Sequence, residues 1–187
     1  MEAGSSYSMT MERVLPAEAG AAADQGDGRE SFERLLQPLL DAGFGLAFAM
    51  LRDRTAAEDA VQEAAYKAWR GRGAVDRPEA ALRGWFLTIV ANQCRDARRA
   101  RWHGVLRIGS RPSGVHADHA DQVVRDLELD RAMARLAPVT RALVYLRYAQ
   151  DMAPSDIARV TGLRPGTVKS RLHRGLRRLE TYLEQDT

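Results

Sequence analysis

The segment from Ser155 to Arg171 reads SDIARVTGLRPGTVKSR, and it constrains the fold more than any other part of the chain. Ala158 is followed four residues later by Gly162 and six residues after that by Val168. This is the spacing of a helix-turn-helix. Two helices cross closely only over a small side chain, glycine adopts the left-handed backbone of the tight turn, and an apolar residue of the second helix plugs the gap. Leu163 and Leu172 complete that small core. The remaining positions of the second helix and its entry, Arg164, Thr167, Lys169, Ser170, Arg171, His173 and Arg174, are then expected to contact a DNA major groove. Arginine there reads guanine through a bidentate contact, while its neighbours hold phosphates. The bland alternative is a helical hairpin with a solvated basic face. The coincidence of small residue, glycine and apolar plug with an unneutralised cationic run argues against it.

Total charge hides that run. The chain has 28 basic and 25 acidic residues, a net +3 over 187 residues. Lys67 and Lys169 are its only lysines, so nearly all its cations are arginines, whose planar fork suits phosphates and guanine edges. Arg98 to Arg111 contains five arginines and no acid, and Arg159 to Arg178 contains seven cations and no acid, which leaves −9 on the remainder. Two basic tracks thus sit in an otherwise acidic protein. The single cysteine, Cys94, permits no internal disulfide and no cysteine-based zinc cluster, and its place on an apolar helix side suggests a small buried residue. No membrane span or signal peptide is expected, which makes the cytoplasm the default location.

Apolar residues recur at helical spacing from Phe32 to Leu51, with Pro38, Gly43 and Gly45 predicting a kink or weak point. Thr55 and Glu58 have the spacing of a capping box for a second helix ending at Gly71. A third, with Pro78 in its first turn, carries Leu82, Trp85, Phe86, Ile89 and Val90 and then turns cationic. No alternating strand pattern occurs. The expected fold is all-α, with two small helical domains joined by a flexible linker. The expected boundaries are a disordered tail over 1–28, a first domain over 29–103, the linker over 104–122 and the helix-turn-helix domain over 123–187. His116 and His119 lie near Asp118 and Asp121, but a linker offers a metal no preorganised geometry, so neither metal nor cofactor is expected.

The two halves together resemble a bacterial RNA polymerase sigma factor of the extracytoplasmic-function (ECF) class. In the C-terminal half, Leu136-Ala-Pro138, the run Arg141 to Tyr148 and the run Gly166 to Arg171 look like the family's fourth domain, which binds the minus-thirty-five promoter element. In the N-terminal half, Ala57 to Glu63 with Ala68-Trp69-Arg70 look like the polymerase-binding helix of the second domain. Gly84-Trp85-Phe86, Ala91-Asn92, Asp96 and Arg98-Arg99 look like the helix that opens the promoter. The resemblance implies a specificity subunit rather than an enzyme. It implies docking on core RNA polymerase through Asp59, Gln62 and Glu63, and capture of the minus-ten strand by Asn92, Arg95, Asp96, Arg98 and Arg99. It also implies sequestration by an anti-sigma protein wedged between the domains, with no direct membrane insertion. Trp102 is the more exposed candidate for base stacking; Trp69 and Trp85 follow the apolar faces. An internal hydrogen bond is the competing role for Asn92.

The match has departures. Both helices of the helix-turn-helix usually begin with a capping serine in this family, whereas Ala153 and Arg164 stand there, each followed by proline. A missing cap costs about 1 kcal/mol, and proline in the first turn compensates in part. Two other classes remain as rivals: a stand-alone helix-turn-helix regulator, and a polymerase adaptor that reads no DNA.

Overall fold

In the computed structural model the backbone is described for residues 26–71, 79–108 and 123–185, and side chains for 30–71, 81–101 and 128–184. Among these residues every element is helical. The order is α1 (Gly26–Leu51), α2 (Arg54–Arg70), α3 (Glu79–Ile108), α4 (Val123–Ala134), α5 (Pro138–Val144), a π-helical turn (Tyr145–Ala149), α6 (Pro154–Thr161) and α7 (Pro165–Gln185).

Helices α1, α2 and α3 pack against one another around Leu36, Leu40, Leu46, Val61, Phe86, Leu87 and Val90. Helix α1 is continuous through Pro38, and its glycines serve packing. A Cβ on Gly43 would stand 2.9 Å from the Phe86 ring, and one on Gly45 would stand 2.2 Å from the Tyr145 hydroxyl. The stretch Glu30–Leu51 is long and apolar enough to cross a membrane. Phe32, Leu36, Leu40, Leu46 and Met50 are instead buried among the other helices, as in the core helix of a folded domain.

The start of α2 departs from the expected capping box. Asp53, two residues before Thr55, is the cap: its Oδ1 accepts the Ala56 amide at 2.9 Å. Aspartate caps at least as well as threonine, and here it also binds Arg101 at 2.9 Å, which fixes the cap to the far end of α3. Glu58, the other half of the expected box, pairs with Arg54 at 3.1 Å. Helix α1 begins at Gly26, inside the expected tail, and α3 runs to Ile108, past the expected linker start at Gly104. One glycine costs a helix only about 1 kcal/mol, and no proline follows it before Pro112. Residues 1–25, the 72–78 stretch with Pro78, the rest of the expected linker with its histidines, and the Trp102 side chain lie outside the described residues.

The second half packs Leu143, Leu146, Ile157, Val160, Val168, Leu172 and Leu179. Its buried cluster is continuous with that of the first half, because α1 contacts α5 and the π turn while α3 contacts α6.

Candidate nucleic-acid interface

The helix-turn-helix forms where its spacing places it. Helix α6 ends on Gly162, which takes the left-handed conformation at φ 69°, and α7 begins at Pro165. Ile157, Ala158 and Val160 of α6 are buried against Val168 and Leu172 of α7, and Leu163 in the turn is half-buried. Ala153 caps α6 without a side-chain hydrogen bond, Pro154 standing in the first turn. On the outer side, Arg164, Lys169, Ser170, His173 and Arg174 are exposed, with Thr167 and Arg171 half-buried. Ser170 donates to the Thr167 carbonyl and Arg174 to the Ser170 carbonyl, both within α7. Arg159 pairs with Asp156. No carboxylate among the described residues pairs with Arg164, Lys169, Arg171, Arg177 or Arg178. Five uncompensated cations on one short stretch form a surface suited to a polyanion.

The first basic track, at the end of α3, is arranged differently. The exposed Asn92 side chain accepts a hydrogen bond from Arg95, one turn on along the same helix. The other Arg95 nitrogen donates across to the carbonyls of Val160 (3.4 Å) and Thr161 (3.3 Å) at the end of α6, where free carbonyls favour a cation. Asp96 pairs with Arg99, and Arg101 with Asp53. Arg98 is exposed. Cys94 is fully buried between these residues and the core, and burial pushes its thiol up to about 12.

Comparison with known proteins gives the same two parts in the same order. Residues 34–104 match the family described as Sigma-70 region 2, and residues 126–179 match Sigma-70, region 4. The ECF RNA polymerase sigma factor SigM of Mycobacterium tuberculosis is 36% identical over 170 residues, covering 89% of this chain and 84% of the relative. The chain belongs to the ECF sigma factors. SigL of the same organism is 31% identical, over 74% of this chain and 81% of its own. The sigma factor CarQ of Myxococcus xanthus is 31% identical, over 83% and 90%. The solved structure of the sigma factor RpoE of Bartonella quintana, in complex with the anti-sigma factor NepR, superimposes with a TM-score of 0.74 at 26% identity. That match covers 84% of this chain and 99% of that one. As an ECF sigma factor, the protein directs promoter-specific transcription by RNA polymerase.

On α2 of this sigma factor, Asp59 and Glu63 are exposed and Gln62 is half-buried. Their spacing of three and four puts them on one face, opposite the buried Ala57, Ala60, Val61, Ala64 and Ala68. Glu63 reaches Lys67 at 3.6 Å.

A set of residues joining the two halves of the sigma factor was not foreseen. Arg141 on α5 is 6% exposed, and its Nε donates to the Ala49 carbonyl of α1 at 2.6 Å. Its Nη1 donates to the carbonyls of Leu136 (2.9 Å) and Ala134 (3.1 Å). Burial, with Arg52 and Arg98 nearby, lowers its pKa to about 10 against the opposing pull of Asp130, so it remains charged at neutral pH. Arg52, in the turn between α1 and α2 at φ 53°, grips both oxygens of Asp130 and lies 5.1 Å from the centre of the Phe48 ring. The Tyr145 hydroxyl donates to the Ala42 carbonyl at 3.2 Å and accepts from Gln150 at 2.8 Å; burial raises its pKa to about 12. Arg83 donates to the Gln150 carbonyl at 2.9 Å.

Proposed function

We propose that the sigma factor divides its work between halves that the structure holds together. Helix α7 enters the major groove of the minus-thirty-five element with Arg164, Thr167, Lys169, Ser170, Arg171, His173 and Arg174. Helix α3 holds the unpaired minus-ten strand with Asn92, Arg95, Asp96, Arg98 and Arg99, and Asp59, Gln62 and Glu63 dock on core polymerase. The division is 29–103 for the first domain and 123–187 for the second. Catalysis stays with the polymerase, so the chain is no enzyme, and it works in the cytoplasm where polymerase and promoter DNA are. An anti-sigma factor, as in the RpoE complex, is its third partner.

The observation that carries this reading is the engagement of Arg95. A minus-ten residue cannot contact a strand while its guanidinium sits on the end of α6, so the halves part before both elements are bound. Distance requires the same. Two elements 25 base pairs apart are separated by about 85 Å of duplex at roughly 3.4 Å per pair. A folded chain of this length has a radius of gyration of about 16 Å. Residues 109–122 give a covalent reach of at most about 50 Å, which lets the separated halves span the remainder.

The test is transcription by core polymerase with and without the purified chain, on a cognate promoter and on the same fragment with either element scrambled. The reading predicts specific transcripts only with the chain present and both elements intact. Tight binding to duplex DNA by the chain alone, with no association with core polymerase, would favour the stand-alone regulator instead.

A further inference from the structure

Helix phase divides the cations of α7 into two groups. Val168, Leu172 and Leu179 mark the buried line of the helix. Ser170, His173 and Arg177 lie on the opposite line and are exposed. Arg171, Arg174 and Arg178 follow one another at spacings of three and four along one flank. With Ala137, Thr140 and Gly175 they line a cavity of about 280 Å³. Gly175 makes this cavity possible: a Cβ there would stand 2.6 Å from Thr140 Cγ2, so only glycine lets the first turn of α5 come this close to α7. None of the three arginines pairs with a carboxylate among the described residues, and the one hydrogen bond of Arg174 goes to its own helix. Three forked cations without an acidic partner among the described residues, gathered around one concavity, form a receptor for a tetrahedral anion.

We propose that this cavity seats a single phosphodiester of the promoter duplex beside the upstream element, and that Arg171 belongs to this seat rather than to base readout. The inference rests on the reading of α7 as the helix that enters the groove. A helix lying in a major groove turns the line opposite its own core toward the base edges and its flanks toward the groove walls, where the backbones run. Ser170 and His173 then face the bases. Arg171, Arg174, Arg178 and Thr140 fix how deep and in what register the helix sits. Arg178 and Thr140 thereby join the DNA contacts, and the expected guanine contact of Arg171 becomes a phosphate contact.

The experiment measures binding of the full chain with core polymerase to promoter fragments in which each upstream base pair is varied, over a range of salt. Arg171→Ala and Arg178→Ala should each weaken binding by about five- to tenfold at 0.1 M salt, by the same factor on every fragment. The slope of log affinity against log salt should fall by about one unit for each variant. Because both side chains serve one phosphate, the double variant should also lose about one unit rather than two. A single methylphosphonate at the seated position should erase the difference between wild type and Arg178→Ala, and Arg178→Lys should restore part of the affinity. A changed base preference in Arg171→Ala, or unchanged affinity in Arg178→Ala while upstream base pairs are still discriminated, overturns the seat. Loss of all discrimination among upstream base pairs in the wild-type complex overturns instead the reading of α7 on which it rests.

Discussion

The two basic tracks of this sigma factor are alike in composition and opposite in state. At the end of α3, among the described residues, Arg98 stands exposed while three other cations are engaged by the protein itself: Arg95 holds Asn92 and the end of α6, Arg99 holds Asp96, and Arg101 holds the cap of α2. On α7 and the turn that leads into it, Arg164, Lys169, Arg171, Arg177 and Arg178 have no acidic partner among the described residues. The difference teaches that a cationic run is not by itself an available binding surface. Under the proposed division of work, a helix-turn-helix that meets intact duplex can stand open, whereas a strand-holding track is needed only after melting and can be kept engaged until then.

The strongest way to break this contrast is to remove what joins the halves. Arg141→Ala leaves the carbonyls of Ala49, Ala134 and Leu136 without their buried donor. A loss of about 3–5 kcal/mol in urea unfolding is expected; a loss below about 1 kcal/mol would mean that water replaces the guanidinium at no cost. A pair of glycines sharpens the comparison. Gly45→Leu drives a side chain into Tyr145 of the other half and should separate the halves at a cost of about 1–3 kcal/mol, with helix content retained. Gly43→Ala meets only Phe86 and Val90 of the first half, so it should lower stability without separating anything. Small-angle scattering and circular dichroism on both variants distinguish these results.

A smaller effect is expected at the polymerase face. Replacing Asp59 and Glu63 together by alanine should weaken association with core polymerase by about 1 kcal/mol or more, with upstream duplex binding by α7 unchanged. Equal loss of both would show that the substitutions act through the fold. The smallest effect concerns Asp53. The Ala56 amide holds its carboxyl below the usual carboxylate range, with Arg101 adding to this and partial burial opposing it. Its contribution is therefore fully present above the unfolded carboxylate value of about 4 and fades as pH falls through the lower folded value. Asp53→Ala should cost about 1 kcal/mol near neutrality, and the gap from wild type should close in acid. A gap that is constant down to pH 2 would exclude the charged cap as its source.

What could be read from the sequence was what depends on neighbours along the chain. Ala158, Gly162 and Val168 meet one another within a dozen residues, so spacing alone located the helix-turn-helix. The phases of Phe32 to Leu51 and of Leu82 to Val90 likewise separated buried from outward faces. The joining of the halves was hidden because Arg141 and Ala49 are 92 residues apart, and a buried arginine in an arginine-rich chain resembles any other. The cap of α2 was misplaced because Asp53 and Thr55 are both competent caps. Only the tertiary contact with Arg101 marks the first as the one used. Gly43 and Gly45 read as weak points in a helix, yet each is where another element comes close.

Separation of the halves on the promoter is tested most directly by one distance. Ala81 and Ala149 are exposed and flank the contact between Arg83 and Gln150. Cysteines at these two positions accept spin labels, while Cys94, buried and with its thiol pushed up to about 12, does not react. The account predicts a short distance in the free chain and one longer by tens of ångströms in the complex with core polymerase and promoter DNA. The same short distance in a transcribing complex would contradict it.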